Sequence, residues 1–448
     1  MLTGLTKFFH TKGSVYVILF VLAVAIAGAV RWWAAPLSAG PDVAQFWAFA
    51  QVFHTYGIDF YRYAEATADI FPFKFWGYVY PPLWLLILGV CLCFAPGAYA
   101  SNTAVDAAWR LAMKTPIIMA DLAIGCLIFW AVPGSKVKKL VFAVLWLFHP
   151  TAWYQSAVFG QFDAIAAVFI VASLIALEKR KEWLIYLFAG LAITVKQHTA
   201  IMIFGMMAAT LHMYKRSQIT KNCLIMAAPL VVLSIPFVRT GNFIPYAKSI
   251  FLPAYVAGYQ HPVAYAISGT GSMLTYLYDV YGWETLNLLR AMPYVTGLAL
   301  AVVIFFCYHR RVNPLQAALA CFLVFTSLFY RINYQYTVIF IPVALLVAAM
   351  TVYRGERALA IVLALFPALW IWLFDVSLWF IYLEPTSTWV VPYLEKMGMG
   401  DKCPTGYFVV FSVTLAYLSL AYVVLVLTRW NGWRREGETI DPHEFQVR

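Results

Sequence analysis

Apolar runs about as long as a bilayer is thick recur along this chain, and short basic tracts separate them. A helix needs about 20 mostly apolar residues to cross the hydrocarbon core. By that measure 448 residues leave room for roughly a dozen crossings plus loops. Hydrophobic residues make up 63% of the chain and charged residues 11%, where soluble domains hold roughly 45–50% and 25%. A soluble fold cannot hide so much apolar surface. The expected fold class is all-α integral membrane.

The net charge of +11 raises nucleic acid as a partner. The positive residues gather between apolar runs, however, which is the pattern of cytoplasmic loops, so no nucleic-acid partner is expected. Of the seven cysteines, all but Cys403 lie in or beside apolar runs. They lack the paired spacing of a zinc site. The first apolar run is too long for a signal-peptide core and reads as an anchor helix.

Candidate spans cover 15–35, 115–132, 138–156, 162–177, 183–195, 198–214, 222–238, 288–308, 314–330, 334–353, 357–375 and 406–428. The basic tracts at Lys136/Lys138/Lys139, Lys179/Arg180/Lys181, Lys215/Arg216/Lys221, Arg310/Arg311, Arg354/Arg357 and Arg434/Arg435 should all face the cytoplasm. They do so together only if the apolar segment Pro81–Phe94 dips in and returns, or lies along the outer interface. This gives about twelve transmembrane helices with both termini cytoplasmic. The long loops, 36–114 and 239–287, then fall on the outer face, with a shorter aromatic one at 377–404. Long loops in compact proteins are usually functional, so the work is expected on that face.

Polar residues there carry the functional question, because ionisable groups in apolar surroundings are costly. Asp42 follows the first span, and the apolar positions after it suggest an amphipathic helix on the outer surface. Its carboxylate can serve as a general base or as a helix cap. Asp121 lies inside the second span, where a structural hydrogen bond competes with a role in the site. In Gly160-Gln161-Phe162-Asp163, Asp163 can cap the next helix and Gln161 can bind a sugar hydroxyl. Lys196-Gln197-His198 sits at the outer end of two spans, against the charge bias. A buried phosphate explains such a lysine, and snorkelling is the plainer account. Arg331 invites the same argument, since arginine grips phosphate oxygens in pairs. Tyr330, Tyr334, Tyr336, His198 and His261 can stack on a sugar ring, although aromatic residues also form the ordinary interfacial belt.

With these residues in view, the chain resembles the GT-C class of membrane glycosyltransferases. That class includes the endoplasmic-reticulum glucosyltransferases that extend dolichol-linked oligosaccharide and the mannosyltransferase of GPI-anchor synthesis. The elements match in order: Asp42 after the first span, then Tyr80-Pro81-Pro82-Leu83, Ile118-Met119-Ala120-Asp121-Leu122, Phe148-His149-Pro150 leading to Gly160-Gln161-Phe162-Asp163, and Lys196-Gln197. The similarity covers roughly residues 1–290, the expected shared module, with 291–448 as variable helices and a cytoplasmic tail. There are departures. Val43 stands where a second acid is common, and Gln161 replaces a histidine.

The resemblance implies an inverting hexosyltransferase that uses a polyprenyl-phosphate sugar on the non-cytoplasmic face. Asp42 would be the catalytic base. Lys196, Arg331, Arg110 and Lys114 would hold the donor phosphate. Asp121, Gln161, Asp163, Gln197, His198, His261 and Tyr80 would face sugar or acceptor. The acceptor would be a glycan, glycolipid or protein hydroxyl. No cofactor or metal is called for, and a monomer among membrane lipids suffices. The compact loops suit a bacterial or archaeal plasma membrane. The rival is a lipid-linked sugar flippase or transporter, which would place its polar site near the bilayer midplane.

Overall fold

The computed structural model describes residues 12–101, 104–238, 241–251, 269–369, 382–383 and 405–428. His261 and most of the aromatic 377–404 loop lie outside them. The described chain is almost wholly helical. The first half holds α1 (Lys12–Ala34), α2 (Pro41–Tyr56), α3 (Pro82–Phe94), α4 (Ala107–Ala131), α5 (Lys136–Leu147), α6 (Asp163–Glu178), α7 (Glu182–Val195), α8 (Ala200–Thr210) and α9 (Arg216–Val238). After these come α10 (Phe243–Phe251), α11 (Thr270–Tyr281), α12 (Leu286–His309), α13 (Pro314–Leu328), α14 (Thr337–Met350), α15 (Arg354–Leu365) and α16 (Thr405–Thr428).

Among the described residues, five helices are long and apolar enough to cross a membrane: Ser14–Leu37, Ala107–Ala131, Arg216–Val238, Leu286–His309 and Val409–Thr428. The protein is therefore an all-α membrane protein. Between the long helices run shorter ones. The 14 residues of α7 rise only about 21 Å at 1.5 Å each, against a hydrocarbon core of about 30 Å. Such helices are sheltered by their neighbours. α6 packs on α4, α7 and α14, and α8 packs on α13. Buried flanks let the backbone leave the helical path at membrane depth, because protein rather than lipid surrounds the break.

Several sequence expectations are revised. The 138–156 run is not one helix. α5 stops at Leu147, and Pro150 opens a short helix, Pro150–Trp153, that widens into a π turn over Tyr154–Phe159. Proline cannot donate to the preceding turn, so the break falls where Pro150 dictates. The 198–214 run shortens to α8, with tight turns at both ends. Of the 357–375 run, α15 and a 3-10 turn Phe366–Leu369 are described.

The amphipathic surface helix expected after Asp42 is also corrected. In α2, Val43 to Phe46 and Ala48 to Ala50 are all buried. Consecutive residues point to all sides of a helix, so α2 is enclosed rather than laid on a surface. The covering elements are α3 and the 3-10 turn Gly57–Tyr63. Phe49 packs edge-on against Phe60 and Tyr78, with ring centroids 6.1 and 5.2 Å away. α3, at 13 residues, spans only about 20 Å and does not cross alone.

Lys138 donates to the Ala349 carbonyl at 2.6 Å, and Arg310 donates to that of Leu427. Gln316 and Thr351 both donate to Glu356. Asp163, Lys196, His198 and Tyr336 lie at or beside the ends of α6, α7, α8 and α14.

Candidate functional site

The site begins where two chain segments touch. The Gly40 N–H donates to the Phe159 carbonyl at 3.0 Å, and the Ser38 hydroxyl donates to that of Val158 at 3.1 Å. A Cβ on Gly40 would lie 2.8 Å from Phe159 O, so only glycine allows the approach. Gly160 ends the π turn in the left-handed region, with φ of 85°. That is a conformation glycine adopts without steric cost. The Gln155 carbonyl accepts from the N–H groups of both Gly160 and Gln161, at 3.0 and 2.8 Å. This turn aims Gln161 back at α2.

Asp42 stands in the first turn of α2, one residue past Pro41. Gly40 is the capping residue, and its side chain has nothing to donate or accept. Asp42 is thus not the cap. Its carboxylate accepts instead from the Gln161 amide. Burial raises its pKa above the usual carboxylate value, while the Gln161 hydrogen bond and the Lys196 charge oppose that rise. The group remains half-buried, open on one side.

Beside it lies a buried ion pair. Lys196 Nζ donates to both Asp163 oxygens, at 2.8 and 2.7 Å, and the two side chains are 1% and 0% exposed. Asp163 is the first residue of α6, one past the N-cap Phe162, and both its oxygens are engaged by Lys196. Three rings enclose the ammonium: Phe162 at 4.5 Å, Tyr336 at 5.3 Å and Tyr80 at 5.6 Å from Nζ. Phe162 in turn stacks on Trp84, centroids 4.4 Å apart. Cation–π contact offsets part of the cost of removing the charge from water. Gln197 donates to the Val79 carbonyl at 2.8 Å, next to Tyr80. The His198 ring lies 4.4 Å from that of Tyr336. Burial, with Lys196 close by, holds the His198 pKa well below its ordinary value.

Asp42, Tyr80, Gln161, Asp163, Lys196, Gln197 and His198 are therefore brought together. Other expected site residues have different placements. Lys114 donates to the carbonyls of Ala35, Ser38 and Val158 at 3.0, 2.5 and 2.8 Å. Three acceptors use all three hydrogens of an ammonium, and none is left for a phosphate in this arrangement. Arg110 lies one turn earlier on α4, fully buried. Asp121 accepts from Arg31 Nε at 2.7 Å and from the Ser156 hydroxyl at 2.8 Å, joining α1, α4 and the π turn. Arg331 is half-buried on the same connection as Tyr336.

Sequence reasoning passed over Arg31, whose charge in the last turn of the first span was a usable signal. It also passed over Trp84, which nothing in its pattern separates from core, and quoted Phe162 only as part of the Gly160-Gln161-Phe162-Asp163 motif. Gln45 was missed as well. Its side chain bonds the backbone of Phe73 and Trp76 and secures the first loop. Among the described residues, no group of three His, Cys, Asp or Glu side chains is placed to hold a metal ion. In comparison with known proteins, no family model matches the chain and no curated relative matches it.

Proposed function

We propose that the chain is an inverting glycosyltransferase of GT-C type. It moves a hexose, mannose or glucose, from a polyprenyl-phosphate donor to an acceptor hydroxyl. In this reading about twelve helices cross the membrane, some of them short. The cluster around Asp42 faces the non-cytoplasmic side, and the basic ends face the cytoplasm.

One observation carries the reading: a half-buried carboxylate of raised proton affinity lies within the field of a lysine, on one face of a membrane-embedded helix bundle. A base works best when its pKa approaches the operating pH, and burial moves Asp42 in that direction. Asp42 takes the proton of the acceptor hydroxyl, and the oxygen attacks the anomeric carbon. The bond from that carbon to the phosphate oxygen breaks on the opposite face, and the leaving phosphate keeps the electron pair. Lys196 stabilises the growing negative charge. Gln161 orients the base by holding one carboxylate oxygen.

Replacing Asp42 by Asn keeps the size and removes the base. With radiolabelled polyprenyl-phosphate hexose and purified protein in detergent, transfer should fall at least about 100-fold. Elution on size exclusion and donor binding should be unchanged. Turnover within about tenfold of wild type would exclude the general-base role.

A further inference from the structure

The chain entering Asp42 and the chain entering Gln161 are held together from α4. Lys114 Nζ bonds the carbonyls of Ala35 and Ser38 on the first segment and of Val158, in the π turn, on the second. Its stem runs beside Gly160, where a Cβ would lie 3.0 Å from Lys114 Cε. Trp109, also on α4, donates to the Val43 carbonyl at 2.9 Å. Asp121 completes the set by accepting from Ser156 in the π turn.

Lys114 is fully buried, and all three of its hydrogens go to carbonyls. Burying an ammonium is costly, and an apolar side chain fills such a space without that cost. What the lysine adds is three divergent donors on one atom, which fix the two segments relative to each other. Little chain separates this clamp from the residues that meet. On one side it runs from Ser38 through Gly40 to Asp42. On the other it runs from Val158 through Gly160, already committed to φ of 85°, to Gln161. A shift at the clamp therefore passes to the contact between Gln161 and Asp42.

We infer that Lys114 is a positioning residue, which acts at a distance by holding the Gln161 amide on the Asp42 carboxylate. The Gln161 hydrogen bond is one of the two influences that lower the Asp42 pKa, the Lys196 charge being the other. Loosening the clamp therefore leaves Asp42 protonated to higher pH. The charged groups coupled to Asp42 are Lys196 and its partner Asp163, and both are unaltered in the variants below.

The inference rests on the proposed function for the importance of Asp42, but its test reads the carboxyl itself rather than transfer. Purified protein in detergent is titrated with pH in the infrared. Each variant is compared with its own Asp42→Asn version, so that the difference spectrum isolates the Asp42 carboxyl. Gln161→Met should raise the midpoint by roughly one pH unit, the size of a hydrogen bond to a charged group. Lys114→Met should raise it comparably, and the double variant should add little more, because both act through one contact. An unmoved midpoint in Lys114→Met would overturn the inference. So would a Lys114→Met effect that persists in full on the Gln161→Met background, since that is direct action of the ammonium charge. Should Lys114→Met fail to fold, Ser38→Ala loosens the same junction by one hydroxyl, and the same two outcomes decide. An Asp42→Asn protein that keeps transferring sugar would refute the general-base reading and leave the positioning role standing.

Discussion

Asp42 is pulled in two directions, and the balance can be read in a pH profile. Burial raises its pKa, whereas Gln161 and Lys196 lower it. The base must be ionised to act, so kcat/KM should fall as pH drops through a value above the ordinary carboxylate range. Lys196→Gln removes one of the two opposing influences. The acid limb should then move to still higher pH, whatever happens to the maximal rate. A limb that stays in place or moves down would mean that Lys196 does not act on Asp42. Gly160 offers a second test at this scale. Alanine there meets both a positive φ and Val43 Cγ2 at 2.6 Å, so Gly160→Ala should cost about 1–3 kcal/mol. The melting temperature in detergent should drop, and transfer should suffer because Gln161 is re-aimed.

Between helices, the decisive contacts are buried charges whose partners lie far away in sequence. Arg31 on α1 meets Asp121 on α4, both essentially inaccessible. Removing one member of such a pair leaves the other uncompensated, typically at about 3–5 kcal/mol. Asp121→Ala should therefore cause a large loss of thermal stability, and the double variant Arg31→Met/Asp121→Ala should recover part of it. Equal melting temperatures for the two variants would refute the pairing. These contacts also show what was legible beforehand. The lengths of α12 and α16 follow closely from their apolar runs, whereas α4 begins at Ala107 and α9 at Arg216, well before the runs expected from 115 and 222, because polar first turns can be helical outside an apolar stretch. Asp42, Gln161, Asp163 and Lys196 stood out because polar groups are costly among apolar neighbours. The role of Lys114 did not, since its acceptors are carbonyls that every residue possesses and only the path of the chain brings together. The π turn over Tyr154–Phe159 was equally hidden, because one extra residue per turn leaves little mark on hydropathy.

Across the whole molecule, the acids, rings and amides around Lys196 gather beside the ends of α6, α7, α8 and α14, and the proposed topology puts the basic tracts at the other end. The two ends should be distinguishable in membranes. A cysteine at exposed Trp76, in the first loop, should react with an impermeant maleimide added from outside, while one at Lys136 should react only after permeabilisation. The reverse pattern would invert the proposed orientation. The second half of the chain is woven into the first: α13 packs on α8, α14 packs on α6, and Tyr334 bonds Thr151 at 2.7 Å. The short ladder between Ser38–Ala39 and Tyr382–Leu383 is the furthest-reaching of these ties. Its first strand ends three residues before Asp42, so a segment made almost last in synthesis buttresses the approach to a carboxylate made almost first. A ribosome stalled before residue 382 would hold a nascent chain with most of its helices inserted and its working edge still unbraced.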